Sequence, residues 1–158
     1  MKLRGFMRGA RVLAAIGVVV LVLGFLFSAP AESQADKNKK IAVSFLTMIF
    51  NEHKVTEAFD LYSVPTYKQH NPLAKTGAKA AIDFLGPYLK GCAQCKTDIK
   101  RVFADGDLVA IHNNPTSGPN DRGSAVVDIF RIENGKVVEH WDVVQQVPAQ
   151  SANENTMF

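Results

Sequence analysis

The stretch that decides the fold runs from Val126 to Val144 and reads VVDIFRIENGKVVEHWDVV. It holds two runs rich in valine, isoleucine and aromatic residues, a composition typical of β-strands. Asn134-Gly135 lies between the runs, and this dipeptide is a strong signal for a tight hairpin turn. We therefore predict two long antiparallel strands, Ser124 to Ile132 and Val137 to Val147.

Weaker signals of the same kind lie upstream of this hairpin. Thr97 to Ala104 and Leu108 to Asn114 read as strands on either side of a turn at Asp105-Gly106-Asp107. A loop rich in proline, glycine, asparagine and serine follows, from Pro115 to Gly123. The second half of the chain is therefore predicted to be a meander of strands.

The first half of the chain shows helical spacing instead. Ile41, Phe45 and Ile49 recur at four-residue intervals, which puts them on one helix face. The predicted elements are three helices, Lys37 to Phe50, Val55 to Tyr62 and Ala78 to Leu89, with a short strand, Tyr67 to His70, before the last helix. This order predicts an α+β fold in which three N-terminal helices cover one face of a curved antiparallel sheet. Such a sheet forms a cone that encloses a pocket.

The amino terminus has the layout of an export signal. Four basic residues precede an unbroken run of 16 apolar or glycine residues, Val12 to Phe27. Ala29 and Ala31 then fit the small-residue pattern of a signal-peptidase site. The run is shorter than the roughly 20 residues that cross a bilayer comfortably. We therefore expect residues 1–31 to be a cleaved signal peptide.

An uncleaved signal anchor is the alternative for this segment. With either reading of the leader, we expect residues 32–38 to be a polar linker and residues 39–158 to be the domain. In both cases we expect an exported domain, periplasmic or secreted, that meets the membrane only if residues 12–27 stay attached.

The charge of the chain is concentrated in this leader. Removing its four basic residues from the 18 in the chain leaves 14 against 15 acidic residues, a net charge of −1. Nucleic-acid binding needs a concentrated basic face, so we expect no nucleic-acid partner. Hydrophobic residues at 47% and charged residues at 21% exclude a disordered chain.

Cys92 and Cys95 form a CxxC spacing between a predicted helix and a predicted strand. In an oxidising compartment such a pair is expected to form a local disulfide. A redox site needs the CxxC at a helix start in a thioredoxin-like βαβ unit, and a metal site needs a second ligand pair. The position of this pair favours the structural disulfide.

Acidic and imidazole side chains lie on strand faces that are otherwise apolar. Alternation puts His140 and Asp142 on one face with Val138, and it puts Asp128 and His112 on mostly apolar faces of the two preceding strands. A polar group in such a place is costly unless it is paired or faces a cavity. A lone strand histidine is usually a satisfied core or rim residue, so only the convergence of several such groups indicates a functional site.

The hairpin register decides whether these groups meet. A two-residue Asn134-Gly135 turn places Asp128 opposite Trp141. A three-residue loop that starts at Glu133 places Asp128 opposite His140 and diagonal to Asp142. We prefer the second register because it gathers the three groups on one surface. This preference assumes the function that it supports, so both registers stay open.

Two segments carry a resemblance to a known family. The strand Tyr67-Lys68-Gln69-His70-Asn71-Pro72 and the block from Val126 to Val144 resemble the SnoaL-like polyketide cyclase family of the nuclear transport factor 2-like superfamily. The ending from Ser151 to Phe158 is similar to that of a subgroup described as SnoaL-like aldol-condensation enzymes. The resemblance covers about Lys39 to Phe158, and it implies a cone-shaped α+β fold with a hydrophobic pocket. It also implies a homodimer formed through the sheet.

The resemblance implies aldol cyclisation or a related enolisation without a cofactor. An acidic residue on a late strand is then the general acid/base, and by position this is Asp142. His140 or His112 would orient it or donate a proton. Asp128 would hydrogen-bond the oxyanion, since it matches the Asp-x-Phe-Arg stretch of ketosteroid isomerases. The base of those isomerases falls where this chain has Asn71, which cannot take a proton, so steroid isomerisation is disfavoured.

The expected ligand is a small apolar or carbonyl-containing molecule. The predicted substrate-binding residues are Tyr67, His70, Asn71, Phe130 and Trp141. Two other readings stay open. One is a non-catalytic exported module that binds a small apolar ligand. The other is a metal site built from His70, His112, His140 and Asp142, which no recognised ligand spacing supports, so we predict no metal.

Overall fold

The computed structural model describes residues 31–158. The predicted signal peptide or anchor lies outside the described residues, apart from Ala31. Between residues 31 and 158, no helix has the length and the apolar character that spanning a membrane requires.

Three helices and five strands make up this part of the chain. In order they are α1 (Gln34–Phe50), α2 (Val55–Tyr62), β1 (Ser63–Gln69), α3 (Ala78–Lys90), β2 (Lys96–Asp105), β3 (Leu108–Thr116), β4 (Ser124–Glu133) and β5 (Lys136–Gln146). All the predicted elements are present. Residues 34–38, most of the predicted polar linker, form the start of α1, because the side chain of Ser33 accepts a hydrogen bond from the Asp36 N–H and caps the helix there.

The strands form one curved, unclosed sheet in the order β1-β5-β4-β3-β2, so the predicted α+β class is confirmed. Four strands are antiparallel neighbours, but β1 lies parallel to β5. The expectation of a purely antiparallel sheet was therefore wrong at this edge. Parallel strands need a long connection, and α3 with the three intervening strands supplies it.

The helices pack their apolar stripes onto the inner face of the sheet. Phe45 of α1 is 1% exposed and meets Phe59 and Phe130 edge-to-face, with ring centroids 5.0 and 5.7 Å apart. Phe59 in turn meets Tyr67 of β1 at 5.3 Å. This aromatic cluster joins α1, α2 and the sheet into one core.

Cys92 and Cys95 form a disulfide just after α3. Pro87 lies inside α3, and the helix continues past it to Lys90. Because α3 ends at Lys90 and β2 begins at Lys96, the disulfide closes the short loop between them.

The β4–β5 hairpin has a two-residue turn followed by a bulge. Asn134 and Gly135 both have positive φ, 50° and 76°, as this tight turn requires. Glu133 pairs with Lys136, but the register shifts by one residue at Val138. Asp128 consequently lies opposite Asp142. The two-residue turn of the first alternative is present and the preferred three-residue loop was wrong, but neither alternative placed Asp128 opposite Asp142.

Candidate active site

A cavity of about 100 Å³ lies between the helices and the inner face of the sheet. Most of its lining is apolar, and the polar side chains come from β1, β4 and β5 and the residues just after β1. The apolar lining residues are Phe45, Leu46, Ile49, Phe50, Phe59, Ala74, Ala81, Phe84, Leu85 and Phe130, and the polar ones are Tyr67, Gln69, Asn71, Asp128, His140 and Asp142.

The bulge at Val138 brings three of the predicted catalytic residues to this cavity. Without the bulge, alternation from Val137 would send His140 and Asp142 to the opposite face. With the bulge, Val137 and His140 are both buried on the inner face. The prediction that Val138 shares a face with His140 and Asp142 was therefore wrong. Asp128, His140 and Asp142 each have a side-chain ligand atom within 4.8 Å of the others.

Asp128 and His140 form a buried hydrogen-bonded pair. His140 Nε2 lies 2.8 Å from Asp128 Oδ1, and the ring stacks on Phe130. Asn113 Nδ2 donates to the other carboxyl oxygen of Asp128 at 2.6 Å. His140 Nδ1 lies 2.9 Å from Oε1 of Gln69. Every polar atom of the pair therefore has a partner.

These contacts fix the number of protons that the pair shares. Gln69 Oε1 accepts the backbone N–H groups of His70 and Asn71, so it is the amide oxygen and His140 Nδ1 must donate to it. Asp128 and His140 Nε2 then need one proton between them, which rests on either atom. The pair has no net charge in either arrangement, and His140 keeps no free lone pair for a substrate proton.

Asp142 has a different environment from Asp128. Its Oδ2 accepts a 2.6 Å hydrogen bond from Asn71 Nδ2. The backbone N–H of Leu73 donates to Asn71 Oδ1, which fixes the orientation of the amide. Among residues 31–158, no hydrogen-bond partner lies against Oδ1 of Asp142. Asp142 is thus a held carboxylate with one oxygen available to a ligand.

Tyr67 supplies a hydroxyl to the same cavity. Burial raises the pKa of this phenol far above its usual value, and the negative charges of Asp128 and Asp142 raise it further. Gln69 Nε2 donates to the phenol oxygen at 3.4 Å. The phenol therefore stays protonated and can donate its hydrogen to a ligand.

His112 does not reach these groups. The inner face of β3 carries the buried Val109, Ile111 and Asn113, so His112 points the other way. It lies 3.1 Å from an Arg101 guanidinium nitrogen and stacks on Phe158. The prediction that His112 lies beside His140 was therefore wrong.

His70 and Trp141 also lie on the opposite face of the sheet. Their rings stack with centroids 4.6 Å apart, and His70 Nε2 is 2.7 Å from Oε1 of the buried Glu139. They do not line the cavity, because alternation along β1 and β5 turns them away from Gln69, Asn71 and His140. Of the predicted substrate-binding residues, Tyr67, Asn71 and Phe130 do line it.

Glu139 is the centre of a charged cluster on that opposite face. The hydrogen bond with His70 lowers the pKa of Glu139 to about 2, with further contributions from Arg131 and Lys68. The folded-state pKa is below the ordinary value of 4.5. The cluster therefore stabilises the fold above about pH 4.5, and this stabilisation is lost as the pH falls toward 2.

We expect Glu139→Gln to lower the free energy of unfolding by about 1–3 kcal/mol near neutral pH, because charge-assisted hydrogen bonds are lost. The difference from the parent protein should shrink as the pH approaches about 3, where unfolded-state carboxyls are protonated. Urea unfolding at both pH values measures it. Glu57→Gln, at an exposed position of α2, is the control. A difference that does not depend on pH would contradict this origin of the low pKa.

A second prediction concerns the His140 ring. We expect ¹⁵N-histidine NMR to find a proton on Nδ1 of His140, because Gln69 Oε1 can only accept a hydrogen bond. A Gln69→Leu variant removes that acceptor and should change the Nδ1 signal. An Nδ1 without a proton in the parent protein would refute the shared-proton arrangement.

Among the described residues, Asp128, His140 and Asp142 are the group that could hold a metal ion. The four-residue metal set considered above is not assembled, since His70 and His112 lie on the other face. A metal on His140 would have to displace the Asp128 or the Gln69 hydrogen bond. Metal analysis of the purified protein would detect such an ion.

Sequence reasoning missed two residues of this site, Gln69 and Asn113. Alternation along β1 from Tyr67 to Asn71 could have indicated Gln69. Asn113 lies on the inner face of β3, whereas the predicted His112 beside it lies on the outer face. The more apolar alternation of Val109 and Ile111 was the available signal for the inner face.

Comparisons with known proteins agree with this fold. The profile of a family described as SnoaL-like domain matches residues 42–140. A candidate polyketide cyclase from Acidithiobacillus ferrooxidans is 20% identical with a TM-score of 0.58, covering 72% of this chain and 91% of its own. A SnoaL-like protein of unknown function from Burkholderia thailandensis is 14% identical with a TM-score of 0.60, covering 72% and 97%.

A further solved structure widens the range of activities named for this fold. A candidate ketosteroid isomerase from Kribbella flavida is 15% identical with a TM-score of 0.59, and the match covers 78% of this chain and 89% of that one. The search of curated proteins gave no match. At these identities the structures show a shared fold and no particular reaction.

Proposed function

The chain belongs to the SnoaL-like domain family, and from this premise we propose that it is a cofactor-independent enzyme that removes a proton next to a carbonyl group. The resulting enolate is the nucleophile of an aldol condensation or cyclisation. The observation that carries the proposal is the contrast between two neighbouring carboxyl groups. Asp128 is fully paired, whereas Asp142, which also lines the cavity, has one carboxyl oxygen without a hydrogen-bond partner among residues 31–158.

Asp142 is the general base in this proposal. Its Oδ1 takes the α-proton. The electron pair of the broken C–H bond forms the C=C bond of the enolate, and the π pair of the carbonyl group moves onto the carbonyl oxygen. Asn71 holds the other carboxyl oxygen and so fixes the direction of attack. A base within hydrogen-bond reach of the carbon acid is the first geometric requirement of this reaction.

Tyr67 is the donor that stabilises the developing oxyanion. A protonated phenol in an apolar cavity is a strong hydrogen-bond donor to such a charge. It takes the role that the sequence suggested for Asp128, whose two oxygens already face Asn113 and His140. The Asp128–His140 pair positions Gln69, and Gln69 contacts the phenol oxygen.

The test is α-deuterium exchange in heavy water, followed by ¹H NMR. The panel consists of pentane-2,4-dione, cyclohexanone and 2-tetralone, which differ in acidity and size. We expect protein-dependent exchange above the buffer rate for at least one ketone that binds. Binding without exchange across the panel would instead favour the non-catalytic binding module, which the largely apolar lining of the cavity also suits.

A further inference from the structure

The charges that line the cavity restrict what can enter it. Its only acidic or basic lining side chains, within residues 31–158, are Asp128, His140 and Asp142. The first two share one proton and have no net charge as a pair. The cavity therefore carries a single negative charge, on Asp142.

Among the described residues, no side chain with a net positive charge balances that charge inside the cavity. Within residues 31–158, no lysine or arginine lines it. Lys75 follows the lining residue Ala74 in the sequence, but it is exposed. A second negative charge would be placed near Asp142 in apolar surroundings, where like charges repel strongly.

The cavity is also small. Its volume of about 100 Å³ is below the roughly 150 Å³ of an apolar cavity that holds benzene. Phe84 lines the cavity and is half exposed, so the mouth lies beside it. The cavity therefore takes only the carbonyl end of a ligand, and the rest of the ligand lies at the mouth.

We propose that this site takes the carbonyl end of an uncharged molecule and rejects anions, so that carboxylates, phosphate esters and their conjugates are not its substrates. The inference rests on the proposed function only in using the same cavity. A free carboxylate oxygen and a phenol donor suit a neutral carbonyl group, whereas an anion would find no positive partner.

The proposed exclusion of anions is tested with three probes of nearly the same shape: cyclohexanone, cyclohexanecarboxylate and cyclohexylammonium. Binding to the full protein near neutral pH is measured by ligand-observed NMR titration. We expect the carboxylate to bind at least about tenfold more weakly than the ketone. Equal binding of the carboxylate and the ketone would overturn the proposal. Tightest binding by the ammonium would overturn it too, in favour of a cation site.

Two variants locate the origin of the discrimination. Asp142→Asn makes the cavity neutral and keeps an acceptor for Asn71, so the carboxylate should gain about tenfold while the ketone changes little. Lys75→Ala, the control at the exposed lysine, should leave the order of the probes unchanged. Discrimination that survives Asp142→Asn, or disappears in Lys75→Ala, would refute the assignment to Asp142.

These titrations report binding and need no turnover. If the parent protein catalyses no deuterium exchange but still binds the ketone more tightly than the carboxylate, only the proposed reaction is rejected. If exchange proceeds as fast on carboxylate-bearing ketones such as levulinate as on neutral ketones, only the proposed exclusion of anions is rejected.

Discussion

Replacing Asp142 by asparagine is expected to lower protein-catalysed α-deuterium exchange by about 10²–10⁴-fold, the usual contribution of a general base. Asparagine has the same shape and can still accept the hydrogen bond from Asn71, but it cannot take up a proton. The exchange rate at saturating ketone is the quantity to measure. Binding of the ketone should be nearly unchanged, so the loss should appear in turnover.

Asp83→Asn is the matched control for this variant. Asp83 is an exposed carboxylate on α3, paired with Lys79 on the helix surface and absent from the cavity lining. It should leave the exchange rate within experimental error of the parent protein. Equal exchange by Asp142→Asn and Asp83→Asn would exclude Asp142 as the base.

Replacing Phe45 by alanine should have the largest effect on stability, a loss of about 3–5 kcal/mol in the free energy of unfolding. The ring is 1% exposed and meets Phe59 and Phe130 edge-to-face. Its removal leaves a void beside the existing cavity, and aromatic pairs add about 0.5–1.5 kcal/mol each beyond burial. Urea unfolding followed by circular dichroism measures the change.

Phe103→Ala provides the comparison on β2. Phe103 is 61% exposed, so its truncation removes little buried surface. We expect a change within about 0.5 kcal/mol, as for most surface substitutions. If both variants lost the same stability, the cluster around Phe45 could not be the centre of the core.

The elements of the fold were predictable because their signals are local. The four-residue spacing in α1 and the Asn134-Gly135 turn each reflect a neighbouring segment of chain. The parallel pairing of β1 with β5 was not predictable in this way, since the two strands are far apart in sequence. Pairing of that kind depends on how α3 and the intervening strands pack.

The site was predicted in part for the same reason. Asp128, His140 and Asp142 were identified as polar groups on apolar strands, and they do meet. The sequence also predicted three further residues at the cavity, His112, His70 and Trp141. In the observed strand registers, side-chain alternation places them on the opposite face of the sheet. A single-residue shift reverses every side chain of a strand, so small errors of register have large consequences.

The sequence by itself determined the helices, the strands, the position of the hairpin at Asn134-Gly135 and the presence of acidic and imidazole groups on the late strands. These follow from backbone preferences and hydrophobic spacing within a few residues. Only the tertiary structure decided that a bulge at Val138 sets Asp128 opposite Asp142, and that Asn113 and Gln69 complete the site. A bulge is settled by packing on both faces of the sheet at once, which no local stretch of sequence encodes.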